Sequence, residues 1–395
     1  MGLVFWVVAA RTVSSTDIGL TTAVISLVAL VTTLSQFGMD NGLIRFLPMS
    51  KNRDELYSSV LTVNFIITVI ITGIFLIGLN VFSPPLLFLR DGAFPLILIL
   101  YMALASIYLM QNTAVTALRR GDLYLIQTIV YGIRIPLLLI FAMFGVMGIL
   151  SALVISYFIT FITGLYIISQ LGVKFRVTIN VGALKEIFRF SLGTYTADIL
   201  ATAPTAIIPL IIVNTIGAKE NAYFYIAYSI AAILLTIPGS IATSLFVEGS
   251  HNVPLRENVV KSIRFTMILL IPAIIVILLF GNYVLLIFNK EFSQQSFELL
   301  RLLAISGIFS AISSLYLTIK RVQKDVRIIN YINLAFSILL IGSCYLFLMS
   351  FGLIGVGYAW LLSNIIISVC AVWLSIKHDK FTYKISLFKN KDISH

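Results

Sequence analysis

Apolar residues run through this chain in blocks of about 20 or more, separated by short polar stretches, and a block of that length crosses a hydrocarbon core as one helix. The pattern predicts spanning helices at 18–44, 57–80, 94–118, 123–144, 147–170, 188–213, 222–246, 260–280, 296–319, 326–349 and 353–376, after a partial one at 1–10. The expected fold is an all-α polytopic membrane protein of about 12 transmembrane helices, the first one truncated. Against a normal span of about 20 residues, that opening helix lacks roughly 15. The expectation is a truncated or wrongly started chain rather than a signal peptide, because no basic n-region or small-residue cleavage site precedes the apolar run.

The polar positions carry a second pattern. The stretch Arg11–Pro48 is echoed 203 residues later, from Asn214. Each copy is a capped turn, a long apolar helix and a helix end with one charge, Arg45 in the first and Glu248 in the second. Thr22, Ser26, Ala29, Thr33 and Asp40 answer Tyr225, Ser229, Ala232, Thr236 and Thr243, and steps of 3, 4 and 7 place each set on one helical face. The same offset holds for Phe94–Asp122 against Phe297–Asp325 and becomes 207 where Phe144–Gly148 is answered by Phe351–Gly355. The simplest organisation is a six-helix lobe at 1–170 with helix 1 incomplete, a cytoplasmic linker at 171–187, a second six-helix lobe at 188–376 and a basic tail at 377–395. Both copies start on the same side, so they are parallel repeats, and substrate sites in such proteins lie at the repeat interface. Two matched polar faces are expected to look at each other across water.

Composition excludes the soluble alternatives. With 59% apolar and 11% charged residues, the chain is no soluble globular domain. A net charge of +11 would suit nucleic acid only if it clustered on a soluble domain; instead 21 of the 27 Lys and Arg fall in alternate loops and the tail, and 4 in the loops between. The positive-inside rule puts the basic loops and the C-terminus in the cytoplasm, with no nucleic-acid partner. Cys344 and Cys370 sit in apolar segments and read as small buried residues. His251, His378 and His395 lie at helix edges or in the tail. Without a metal-ligand set or a nucleophile–base pair, a membrane enzyme is disfavoured, and no cofactor or metal is called for.

One helix is unusual. In 188–213, Asp198 shares a face with Ser191, Thr194, Tyr195, Thr202 and Thr205, and Pro204 and Pro209 predict a kink. A lipid-facing Asp costs roughly 2.5–3.5 kcal/mol on insertion scales, so this face is expected to meet protein or water.

The run SQFGMDNGLIRFLP, the turn ARTVSSTDIGL, the segment IATSLFVEGS and the pair FGLIGVGYAWLLSNII resemble the corresponding segments of Wzx-type flippases, polysaccharide biosynthesis proteins of the MOP (multidrug, oligosaccharidyl-lipid, polysaccharide) exporter superfamily. The resemblance covers essentially the whole chain, through degenerate motifs. It implies a MATE/MOP-like bundle of two lobes around a central cavity lined by helices 1, 2, 7 and 8. It further implies alternating access that carries a polyprenyl-linked oligosaccharide across the cell membrane for polysaccharide biosynthesis.

A lipid-pyrophosphate-sugar needs a polar, preferably cationic cavity for its head, and arginine offers bidentate charge-assisted bonds to phosphate. The substrate-binding candidates are Arg11, Arg45, Arg134, Thr22, Ser26, Thr33, Ser229 and Thr236. For Arg134, on one face with Gln127 and Tyr131, the alternative is a structural pair; for Arg11 and Arg45 it is interfacial anchoring. Arg45 and Glu248 are gate candidates at equivalent helix ends, against the alternative of two solvated charges. Asp198 is the candidate for a coupling proton or Na+, or else a structural Asp beside the kink. Asp17 and Glu220 read as caps, and the basic stretches 174–189 and 320–327 as topology signals that contact anionic membrane lipids. The remaining expectations are a monomer, partnership with other polysaccharide-assembly proteins, and a multidrug exporter of the same superfamily as the alternative function.

Overall fold

A computed structural model of the chain describes residues 2–249, 255–323 and 325–389, with side chains at 2–245, 258–323 and 325–377. Among the described residues fourteen α-helices follow one another: α1 (Gly2–Thr12), α2 (Ser15–Gln36), α3 (Met39–Phe46), α4 (Arg53–Phe82), α5 (Phe94–Ala117), α6 (Gly121–Tyr131), α7 (Arg134–Phe141), α8 (Gly145–Gln170), α9 (Val181–Thr215), α10 (Ala218–Gly249), α11 (Leu255–Leu286), α12 (Lys290–Val322), α13 (Val326–Phe351) and α14 (Leu353–Lys389). Among the described residues, ten helical stretches are long and apolar enough to cross a membrane. One of them, Gly121–Gln170, takes in two of the expected spans.

Two expected helices are broken. The span 18–44 divides into α2 and α3 at Phe37 and Gly38, whose φ angles of 46° and 74° are left-handed. Gly38 is required there twice over: its φ is positive, and a Cβ would come within 2.6 Å of the Ser191 Cβ on α9. The span 123–144 divides into α6 and α7 around Gly132–Ile133. The apolar period runs through both breaks, which is why hydropathy alone joins them. By contrast α9 continues as helix through Pro204 and Pro209, and α14 extends to Lys389 through much of the expected tail.

The chain groups into two compact units, one of Met1–Ile226 with Leu286–Phe292, the other of Ala227–Leu285 with Ser293–His395. This division differs from the repeat boundary at 171–187, because α9 packs with the first unit. The bonds say why. The Tyr195 hydroxyl donates to the Leu34 carbonyl at 2.8 Å, and Asn214 Nδ2 donates to the Phe82 carbonyl at 2.8 Å while its Oδ1 accepts from Ser83 at 2.7 Å. The stretch before α9 is tied to the start of α4: Lys174 N donates to Asp54, Arg176 N to Ser58 Oγ and Asn180 N to Ser59 Oγ, each at 2.9 Å. Asn180 also caps α9, its Oδ1 accepting from Ala183 N at 3.0 Å.

Within the first unit, Met39, Leu43, Tyr57, Val60, Met110 and Ile187 belong to one buried apolar cluster drawn from α3, α4, α5 and α9. Beside it runs a buried polar seam in which Ser106 Oγ donates to Asn64 Oδ1 at 2.5 Å and accepts from Thr68 at 3.1 Å. Arg90, in a 3-10 turn at Pro84–Arg90, donates to the Leu76 and Ile77 carbonyls at 2.6 and 2.5 Å and so covers backbone acceptors near the end of the 30-residue α4. The second unit packs Tyr316, Ile332, Ile367 and Ala371 between α12, α13 and α14, and Ala242, Leu245 and Leu315 between α10 and α12.

Candidate functional site

Arg134 is the first residue of α7, just after a helix break, and not in the middle of a helix as the sequence suggests. The break turns its side chain into a wall of rings. The guanidinium carbon lies 4.2 Å from the Tyr131 ring centre and 5.1 Å from that of Phe5, inside the range of a cation–π contact. Tyr131 in turn touches Tyr157 and Tyr108, with centroids 4.4 and 5.4 Å away, and Tyr157 touches Tyr101 at 5.7 Å. Phe5 meets Trp6 edge-on at 5.2 Å, and Trp6 meets Tyr225 at 5.0 Å. The Nε–H of Arg134 is buried with no hydrogen-bond partner, and the ion pairs among the described residues, Arg120–Asp122, Lys219–Glu291 and Arg301–Glu298, do not include it. Arg134 is thus a half-buried cation on a spanning stretch, with rings around it, an unpartnered Nε–H and no described carboxylate beside it. Of these tyrosines the sequence placed Tyr131 beside Arg134; Tyr101, Tyr108 and Tyr157 were missed because they come from other apolar blocks.

The polar stripe of α2 divides. Thr22 and Ser26 are buried: Ser26 Oγ donates to the Thr22 carbonyl at 2.9 Å, and Asn221 Nδ2 of α10 donates to Thr22 Oγ1 at 3.0 Å and to the Gly19 carbonyl at 2.8 Å. At this end the expectation of two faces across water is corrected: α2 and α10 touch. Gly19 lets them do so, since a Cβ there would stand 1.6 Å from the Ala218 carbonyl oxygen. Further along α2, Thr33 is half-buried and returns its hydroxyl to Ala29 at 2.9 Å. On α10, Ser229 is half-buried, and the exposed Thr236 donates to the Ile233 carbonyl at 2.6 Å.

Asp198 is exposed on α9 and accepts from Asn41 Nδ2 of α3 at 3.1 Å. Arg45, exposed in the last turn of α3, lies over the Phe190 ring of α9 at 4.3 Å. Its expected gate partner Glu248 lies outside the residues whose side chains are described. Arg11 donates through Nε to the Ile287 carbonyl at 2.9 Å and so holds a turn. Asp17 is the capping-box partner of Ser14, which donates to it at 2.7 Å and accepts from its backbone N–H at 3.1 Å. Glu291, not singled out from the sequence, accepts from Ser15 and Tyr223, both at 2.6 Å. Its partners lie up to 276 residues away, so no local signal could have found it. A separate cavity of about 490 Å³, lined by Lys51, Asn52, Glu55, Asn180 and Glu186 among others, lies at the starts of α4 and α9, away from Arg134.

Comparison with known proteins fits this arrangement. A "Putative O-antigen transporter" of Shigella flexneri is 23% identical over 210 residues, which are 52% of this chain and 49% of that protein. The chain thus spans about half the length of this relative. Among solved structures, a multidrug resistance MATE family transporter of the MOP superfamily superposes in its inward-facing conformation with a TM-score of 0.76 at 18% identity, over 97% of this chain and 94% of that one. A MOP superfamily transporter from Pyrococcus furiosus gives 0.65 at 15% identity, over 95% and 91%. These matches give the fold, that of MOP superfamily transporters, in a multi-pass membrane protein. The profile of the family described as polysaccharide biosynthesis protein matches residues 8–294, from α1 through the first turn of α12, and the chain belongs to that family.

Proposed function

We propose that this protein is a flippase that moves a polyprenyl-(pyro)phosphate-linked oligosaccharide across the cytoplasmic membrane by alternating access. The observation that carries the reading is Arg134, whose guanidinium lies among rings with Nε–H unpartnered and no described carboxylate beside it. A phosphate oxygen would complete its hydrogen bonding, while tyrosine faces and hydroxyls suit a sugar next to it. Family membership and the name of the Shigella relative support the same substrate class. In this reading the basic loops and the C-terminus are cytoplasmic, and the protein works as a monomer beside other polysaccharide-assembly proteins. Asp198, bonded to Asn41, takes the coupling proton or Na+; transport indifferent to both gradients would remove that role.

The test is flipping of a polyprenyl-pyrophosphate-linked glycan by the whole purified chain in proteoliposomes. Arg134→Met is expected to lower the rate at least about tenfold, the loss of a charge-assisted bond worth about 1.5–3 kcal/mol. Arg134→Lys is expected to fall between, because an ammonium keeps the charge without the planar fork. Wild-type flipping in Arg134→Met overturns the assignment. Export of a cationic dye in place of the glycan would move the chain to the multidrug alternative.

A further inference from the structure

The turn Leu286–Phe292 groups with the first unit, although most of α11 and α12, which it joins, belongs to the second. Its bonds converge on one carboxylate. Ser15 Oγ, from the first residue of α2, donates to Glu291 Oε2 at 2.6 Å. The Tyr223 hydroxyl, from α10, donates to Oε1 at 2.6 Å, and the Lys219 ammonium, one turn earlier on α10, lies 2.6 Å from the same oxygen. Two further bonds seat the turn on α1: Arg11 Nε to the Ile287 carbonyl at 2.9 Å and Asn289 Nδ2 to the Ala10 carbonyl at 3.0 Å. Behind this layer is a dry one, where Asn221 bridges Gly19 and Thr22 and the two helix backbones meet at Gly19 and Ala218.

The two layers differ in how easily they come apart. Thr22 and Asn221 are fully buried, so their bond breaks only if α2 and α10 separate. The outer layer is wet: Lys219 and Glu291 side chains are 52% and 36% exposed, so water competes for their bonds at every moment. All three donors share one acceptor side chain, and a shift of that carboxylate by a few ångströms loses them together. Such an arrangement has two states, made or unmade, and few between.

We propose that Glu291 is a clasp that keeps this end of the α2–α10 pair shut, and that transport requires its release, which wets Thr22 and Asn221. The inference rests on the transporter reading, but its test needs no substrate. A reporter cysteine, Thr22→Cys in a Cys344→Ser, Cys370→Ser background, is treated with a charged maleimide in the full chain in nanodiscs. Labelling is expected to be slow with Glu291 intact and at least about tenfold faster with Glu291→Ala, a shift of about one decade in the open fraction. Unchanged labelling overturns the clasp. Should Glu291→Ala not fold, Lys219→Met removes the ionic arm alone and is expected to speed labelling a few-fold; no change there overturns the proposal equally. A responsive reporter in a protein that flips no glycan would count against the flippase and leave the clasp standing. An unresponsive reporter in an active flippase would do the reverse.

Discussion

A guanidinium near hydrocarbon has to find acceptors, rings or an anion, and the arginines of this chain divide by which they find. Arg11 and Arg90 spend their N–H groups on carbonyls, Arg45 lies on Phe190, and Arg134 has two rings and an unused Nε–H. Arg301 also keeps a buried, unpartnered Nε–H over a ring but is paired with Glu298; Arg134 has no described carboxylate, which is why it carries the functional reading. Gly19 shows the opposite economy, a residue whose value is having no side chain. A Cβ there would overlap the Ala218 carbonyl, and backbone cannot swing aside as a side chain end can. Gly19→Ala is therefore expected to destabilise the protein by about 1–3 kcal/mol, read as a lower unfolding midpoint in detergent. An unchanged midpoint would mean that α2 and α10 do not meet there. The sequence made Arg134 a candidate, since a charge in an apolar block stands out. It gave no hint of Gly19 or Glu291, whose partners are distant in sequence and are brought close only by tertiary packing.

At the scale of the helices, hydropathy located the spans because each is long and apolar, but it passed over the breaks. Phe37–Gly38 lies inside a continuous apolar period without a proline, whereas Gly132–Ile133 comes one turn before Pro136, which has no N–H for the Gly132 carbonyl; neither break interrupts the apolar period. The α6–α7 break is also what aims Arg134, and its mark in the sequence is Pro136, which a count of apolar residues passes over. Likewise, internal repetition assigns α9 to the second half of the chain, whereas its hydrogen bonds to Leu34, Phe82 and Ser83 tie it to the first unit. Repeats record ancestry; contacts record packing. The polar seam of α4 and α5 offers a clean test of that packing. Ser106 donates to Asn64 and accepts from Thr68, so Ser106→Ala leaves a buried amide oxygen without its donor. The expected loss is about 0.6–1.7 kcal/mol, the range of interhelical hydrogen bonds in a bilayer, measurable by reversible unfolding in mixed micelles. A variant as stable as the wild type would show that Asn64 finds another donor.

For the whole molecule, the distribution of charge decides sidedness. Alternate loops and the tail hold 21 of the 27 Lys and Arg, and the loops between hold 4: Arg11, Arg90, Lys219 and Lys290. Three of those four are engaged within the protein, Arg11 on Ile287, Arg90 on the end of α4 and Lys219 on Glu291. The minority side thus offers fewer free cations than its count implies, and the retention signal falls on the majority side. A fluorescent protein fused to the C-terminus is expected to fluoresce, as it does only in the cytoplasm. Alkaline phosphatase inserted after Gly92, an exposed turn residue where a side chain would meet nothing within 4 Å, is expected to be active, as it is only outside. The opposite pair of results would invert the topology. It would also place the Glu291 clasp on the cytoplasmic side, where its release would admit substrate from the cytoplasm instead of discharging it outward.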